Sequence, residues 1–204
     1  MQDSFLTIKT KSESIYKEKG SKFIGIAVPV GNEEEVKTHL EALRKTYFDA
    51  RHHCYAYILG QTGEKSRAND DGEPNHSAGD PILGQIRSKN LTNTLVVVVR
   101  YFGGTKLGVS GLINAYKTAA EEAISFNKIV EEFITDTIEF AFEYSQMNGV
   151  MKLIKAFDIK ILAQGYKDKS IITGKILVSK TQLLIEKTKL LNDTGYEIAL
   201  TIEG

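Results

Sequence analysis

Leu95–Tyr116 reads LVVVVRYFGGTKLGVSGLINAY, and the order of its parts decides how the rest of the chain is read. Leu95–Val99 is apolar on both faces, which predicts a central strand covered on both sides. Arg100 ends that strand. A glycine-rich loop follows, carrying Lys106, and then a helix begins. Leu112, Ala115, Tyr116, Ala119, Ala120, Ala123 and Ile124 recur at helical spacing, so they form its buried stripe. A strand, a glycine loop and a helix N-terminus in this order suit a phosphate-bearing group: glycines let backbone N–H groups approach, and the helix end favours negative charge.

Working outward, residues 5–29 read as two strands with a turn near Lys19-Gly20. Asn32 followed by Glu33, Glu34 and Glu35 predicts a capped helix start, with Val36, His39, Leu40, Leu43 and Tyr47 on one face. Residues 52–59, HHCYAYIL, predict a strand with Cys54, Ala56 and Ile58 on one face and His53, Tyr55 and Tyr57 on the other. Residues 60–80 read as one long polar loop. Asp80-Pro81 predicts a helix start with Asp80 as cap, burying Ile82, Leu83 and Ile86. From residue 129 onward the pattern is strand, helix, strand, strand, helix, strand, which is the ferredoxin-like β-α-β-β-α-β plan. The chain is therefore read as α+β with two domains, 1–128 and 129–204.

Composition narrows the function class. Twenty-six basic residues balance 26 acidic ones, so nucleic-acid binding would need a local patch. Residues 1–128 hold 17 basic and 15 acidic residues, and residues 129–204 hold 9 and 11. All five arginines, all four histidines and the single cysteine precede residue 101, so chemistry-bearing side chains concentrate in the first domain. One cysteine excludes an intramolecular disulfide and fits a reducing compartment. The N-terminus lacks an apolar signal core, and no apolar run approaches the ~20 residues of a membrane helix. The reading is a cytoplasmic protein without a membrane partner.

Three constellations carry candidate chemistry. In residues 100–108, Arg100 and Lys106 bring charge, while Gly103, Gly104 and Gly108 offer backbone donors; Lys106 precedes the last glycine, so the loop is not the nucleotide-triphosphate G-x-x-x-x-G-K-[ST] loop. The same residues also suit a tight turn with Tyr101 and Phe102 in the core. Asp70, Asp71 and Glu73, with His76 nearby, suit acid–base work or a divalent cation, or else a structural turn whose carboxylates pair Arg67, Arg100 or Lys106. In Arg51-His52-His53-Cys54, neighbouring side chains point to opposite strand faces, and one cysteine with scattered histidines supplies too few zinc ligands. Cys54 reads as buried. His53 with Tyr55 and Tyr57 reads either as a stacking surface for bases or as packing under a helix.

Together these segments resemble the IMPACT family in its bacterial YigZ-type branch. The resemblance rests on KGSKF (19–23), ARHHCYAY (50–57), DDGEP (70–74), SAGDPIL (77–83) and VRYFGGTKLG (99–108), and covers residues 1–125 closely. It implies an N-terminal domain with the left-handed β-α-β fold of a small-subunit ribosomal protein and translation factors. It also implies a C-terminal domain similar to the last domain of elongation factor G. Eukaryotic members act in translational control under nutrient stress. Two departures stand out: Asn75-His76-Ser77 replaces the usual Ser-Gly-Thr, and Asn114 replaces an arginine. The resulting expectation is a non-catalytic, translation-associated regulatory protein. It would bind RNA, the ribosome or another phosphate-bearing ligand through Arg100, Gly103, Gly104, Lys106, Gly108, Lys22 and His53, without metal or cofactor. The alternative is a small-substrate hydrolase using Asp70, Asp71 and Glu73, with or without a metal.

Overall fold

A computed structural model describes residues 3–203, so residues 1, 2 and 204, the outer ends of the two expected domains, lie outside the described residues. The chain divides into two compact α+β units, Phe5–Glu132 and a second built from residues 133 onward with Asp3 and Ser4. Sequence had put the division after 128. The difference at the N-terminus has a local cause: Asp3 accepts from the Ile134 amide at 2.7 Å and from the Ser179 hydroxyl at 2.5 Å.

The first unit holds strands β1 (Ser4–Ile8), β2 (Ser12–Glu18), β3 (Ser21–Pro29), β4 (His52–Leu59), β5 (Lys65–Asn69), β6 (Thr94–Tyr101) and β7 (Ile129–Phe133), with helices α1 (Glu33–Thr46), α2 (Gly79–Ser88) and α3 (Gly108–Ser125). The main sheet runs β2-β3-β6-β4-β5, antiparallel at every pairing. The valine run explains β6 at its centre. Leu95, Val97 and Val99 lie on the face covered by Val36, Leu40 and Leu43 of α1. Val96 and Val98 lie on the face covered by α2 and α3. By this register β3 and β4 run in the same direction with β6 between them, and α1 joins them as a β-α-β unit.

Local signals set several ends. Lys19 and Gly20 both take positive φ, 46° and 81°, in the two-residue turn between β2 and β3. Asn32 accepts from the Glu35 amide at 2.9 Å, and Glu35 reaches back to the Gly31 amide at 2.8 Å, one residue before the cap. Two expectations change. Residues 5–29 form three strands, because β1 leaves the main sheet to pair with β7. The stretch 60–80 is not one loop: β5 pairs with β4 inside it. Its KSRAN sequence is a polar edge strand, which carries no apolar alternation to read.

The buried stripe of α3 is the one its spacing predicts. Its small residues bring the helix backbone onto the sheet. A Cβ on Gly25 would fall 2.3 Å from the Ala119 carbonyl oxygen, to which the Ser14 hydroxyl donates at 2.9 Å.

The second unit runs β8 (Thr135–Phe142), a 3-10 turn (Tyr144–Gln146), α4 (Met147–Ala156), β9 (Lys160–Tyr166), β10 (Ser170–Leu177), α5 (Val178–Asp193) and β11 (Ala199–Glu203). Its antiparallel sheet has the order β11-β8-β10-β9, so each helix links two strands with a third inserted between them. Phe140, Phe142, Val150, Ile154, Ile172 and Leu184 lie at its core. Among the described residues no helix is long and apolar enough to cross a membrane.

Gly25→Ala is expected to lower stability by about 1–3 kcal/mol, because the added methyl must displace α3 from the sheet. Urea unfolding of parent and variant measures this; equal midpoints would show that the helix shifts freely.

Candidate functional site

The site is built around the end of β6. The pleat sets Arg100 on the α2/α3 face, level with Phe23 of β3 and His52 of β4. Its guanidinium carbon sits 5.5 Å from the Phe23 ring centre and 5.6 Å from that of Phe102. Nη1 lies 2.5 Å from Glu73 Oε1, and both side chains are buried, 8% and 4% exposed. The Tyr116 hydroxyl of α3 donates to the same carboxylate oxygen at 2.8 Å. Burial pushes the Tyr116 phenol far up, so it remains a donor. Arg100, expected as a phosphate contact, is instead the arginine that the acidic turn pairs. A buried guanidinium needs a partner, and Glu73 supplies it.

The other two carboxylates of the turn are also occupied. Asp70 accepts from the amides of Ala78 (2.9 Å), Gly79 (2.8 Å) and His76 (2.8 Å). Burial alone would raise its pKa, but these three amides hold it below the ordinary value. It caps α2 from a distance, whereas Asp80, expected as cap, lies inside the first turn. Asp71 accepts from the His53 amide at 2.6 Å and faces Arg44 at 3.4 Å. The hydrolase alternative needed Asp70, Asp71 or Glu73 free. Each instead holds backbone or a buried cation, and among the described residues no three His, Cys, Asp or Glu gather as a metal site.

Cys54 is buried and its thiol donates to the Asp70 carbonyl at 3.0 Å. Burial pushes its pKa well up, so no thiolate forms there. His53 is 5% exposed, on the face covered by α1. Burial pulls its pKa down. It therefore offers no stacking surface; Tyr55 and Tyr57 are likewise buried and lie parallel at 6.5 Å inside that core. Lys22 pairs with Tyr101 across the ladder, on the sheet face opposite Arg100.

The glycine loop does two separate jobs. Gly103 lies so close to the β2–β3 turn that a Cβ would fall 1.8 Å from the Gly20 carbonyl carbon, and its amide donates to the Ser21 hydroxyl at 3.1 Å. Gly104 and Gly108 take φ of +87° and +73°. Lys106 is exposed and makes no ion pair among the described residues. Helix α3 begins at Gly108 with no side-chain cap and no acidic residue in its first turn, whereas α1 has Asn32 and three glutamates. Its exposed first turn leaves amide donors and the positive end of the dipole facing outward.

A cavity of about 370 Å³ opens at this end of the sheet, lined by Asp49–His52 and Arg100–Phe102. Tyr101 donates to Asp49 at 2.7 Å, and that carboxylate pushes the phenol up to about 12. His52 Nδ1 lies 2.9 Å from the Asp71 carbonyl; since a carbonyl only accepts, Nδ1 carries the proton and Nε2 is left for another partner. Arg51 is exposed, and Phe102 is 57% exposed. Reading along the chain missed this cavity. Phe102 looks like core in an apolar run, and Arg51 meets it only across the sheet.

Two outcomes follow from this geometry. Glu73→Ala should cost about 3–5 kcal/mol by stranding the buried Arg100, read by urea unfolding. Asp70 contributes stability that is present above the unfolded carboxylate value of about 3.9 and lost as pH falls through its lower folded value. The stability gap between parent and Asp70→Asn should thus shrink from pH 7 to pH 3; a gap independent of pH would show that Asp70 is not the cap.

The Impact N-terminal domain family model matches residues 19–124, which span every group described above. IMPACT family member YvyE of Bacillus subtilis is 33% identical over 150 residues, covering 74% of this chain and 69% of the relative. IMPACT family member YigZ of Escherichia coli is 33% identical over 153 residues, covering 73% and 74%. A crystal structure described as a hypothetical protein aligns with a TM-score of 0.67 at 26% identity, covering 97% of each chain. With the family model matching half the chain and these relatives aligned over most of it, the chain belongs to the IMPACT family.

Proposed function

We propose that this chain is a cytoplasmic, translation-associated regulatory protein that binds RNA, free or in the ribosome, through the end of its five-stranded sheet. The observation that carries the reading is the cavity lined by Asp49–His52 and Arg100–Phe102, with the exposed Lys106 and the uncapped start of α3 following Phe102 within six residues along the chain. Membership of a family whose eukaryotic members act in translational control supports the setting.

The chemistry suits single-stranded RNA. Phe102 presents a ring face on which a base stacks, worth about 1–3 kcal/mol per base. Arg51, exposed at the cavity, and the exposed Lys106 supply the cations for phosphate, and the α3 amides add neutral donors. Arg100 acts indirectly, by holding Phe102 in place through the ring contact. The ion pair with Glu73 neutralises it, so the cationic contacts fall to the exposed residues. The three carboxylates of the hydrolase alternative, Asp70, Asp71 and Glu73, already hold backbone amides or Arg100, which favours the binding reading.

Filter binding of a labelled single-stranded RNA oligonucleotide at two salt concentrations tests this. Parent affinity should fall with salt. Arg51→Ala with Lys106→Ala should weaken binding and flatten the salt slope by roughly 0.7 per lost phosphate contact. Phe102→Ala should weaken binding with the slope unchanged. Affinity that ignores salt, or a double variant that binds as the parent does, would overturn the proposal.

A further inference from the structure

The second unit carries an open groove of about 460 Å³ between α4 and α5. Its floor is apolar: Leu153 and Phe157 are buried, and Leu191 and Tyr196 half-buried. The Tyr196 ring lies so close to α4 that a Cβ on Gly149 would fall 2.4 Å from its Cε1, so a glycine is what lets the ring lie against the helix. Lys152, Lys180 and Lys187 line the same groove, and no acidic side chain does. Lys180 is held by Asp158 at 2.8 Å, while Lys152 and Lys187 are exposed and make no ion pair among the described residues.

Helix α5 distributes its apolar residues unusually. Its buried positions are Thr181, Leu184 and Thr188, so two of the three are polar. Leu183 and Leu190 stay 50% and 57% exposed. A helix that leaves leucines in water while burying threonines has a second apolar face without a partner in its own fold. Lys180, Leu183, Lys187 and Leu191 fall on that face at i, i+3, i+7 and i+11. Opposite them Gly149, Lys152, Leu153 and Ala156 fall on one face of α4.

We infer that this groove is a docking site for an amphipathic helix of a partner protein, apolar on one face and flanked by Asp and Glu. The walls run over residues 149–156 and 180–191, about 10 Å and 16 Å at 1.5 Å per residue, which is two to three turns of an inserted helix. Such a helix lays apolar anchors at i, i+3 or i+4 and i+7 along the floor. The lysines then meet its acidic flanks and set the choice of partner by charge. The site lies in a different unit from the proposed RNA site and does not depend on it.

The probe is a fluorescein-labelled synthetic peptide of roughly 16 residues, helical, with Leu at the anchor positions and Glu on both flanks; its twin carries Lys in place of Glu. Anisotropy with the full chain should show saturable binding of the Glu peptide and much weaker binding of the Lys peptide. Lys152→Glu with Lys187→Glu should weaken the Glu peptide roughly tenfold or more and restore binding of the Lys peptide. Leu183→Ser, an exposed change that leaves the fold intact, should weaken both. RNA binding should be unchanged in all three substitutions. No binding of the Glu peptide, equal binding of both peptides, or a charge-reversed variant without the swapped preference would overturn the inference. So would a fatty acid that saturates the groove where the Glu peptide does not bind.

Discussion

The buried pair of Arg100 and Glu73 is the interaction on which this end of the first unit's sheet depends. It joins three segments far apart in sequence: the end of the central strand, the acidic turn and, through the Tyr116 hydroxyl, the middle of α3. A guanidinium taken out of water is tolerable only with a charge partner and hydrogen bonds. The turn must therefore present Glu73 inward, and it does so with positive φ at Asp71 and Gly72. Its remaining carboxylates are then free to tie down the backbone, Asp70 at the start of α2 and Asp71 at the start of β4.

This pairing also separates two roles that look alike in the sequence. Arg100 and Lys106 both sit in the glycine-rich segment, yet one is structural and the other faces solvent. The strand's pleat makes the difference: Arg100 still belongs to the ladder and points into the α2/α3 face, while Lys106 follows the break in the ladder at Phe102. The phenyl rings on either side of Arg100 extend the same division. Phe23 is fully buried, and Phe102 is more than half exposed. One cation thus links the core to the surface ring at the cavity's edge.

Much of the architecture was legible where one physical signal dominates. The Leu95–Val99 run demanded cover on both faces, and α1 on one side with α2 and α3 on the other supply it. The alternation in HHCYAYIL assigned each β4 side chain to the correct core, and Asn32 marked the start of α1. Legibility failed where the decisive partner is remote. Nothing near Asp70 says that it caps a helix starting nine residues later. KSRAN has no pattern because an edge strand bonds on one side and buries little. His53 shares its aromatic face with Tyr55 and Tyr57, which fits a stacking surface and a buried layer equally until α1 is seen to cover it.

By itself the sequence determined the family, the two-unit α+β plan and the central strand, because periodicity, capping residues and the glycine-rich block are local properties of the chain. Tertiary structure alone decided which charges remain available. Pairing depends on which side chains the sheet register and helix packing bring within a few ångströms. Glu73 reaches Arg100 across 27 positions, and Tyr116 reaches Glu73 across 43. The same long-range packing buries Leu184 of α5 and leaves Leu183 half exposed in the groove beside α4.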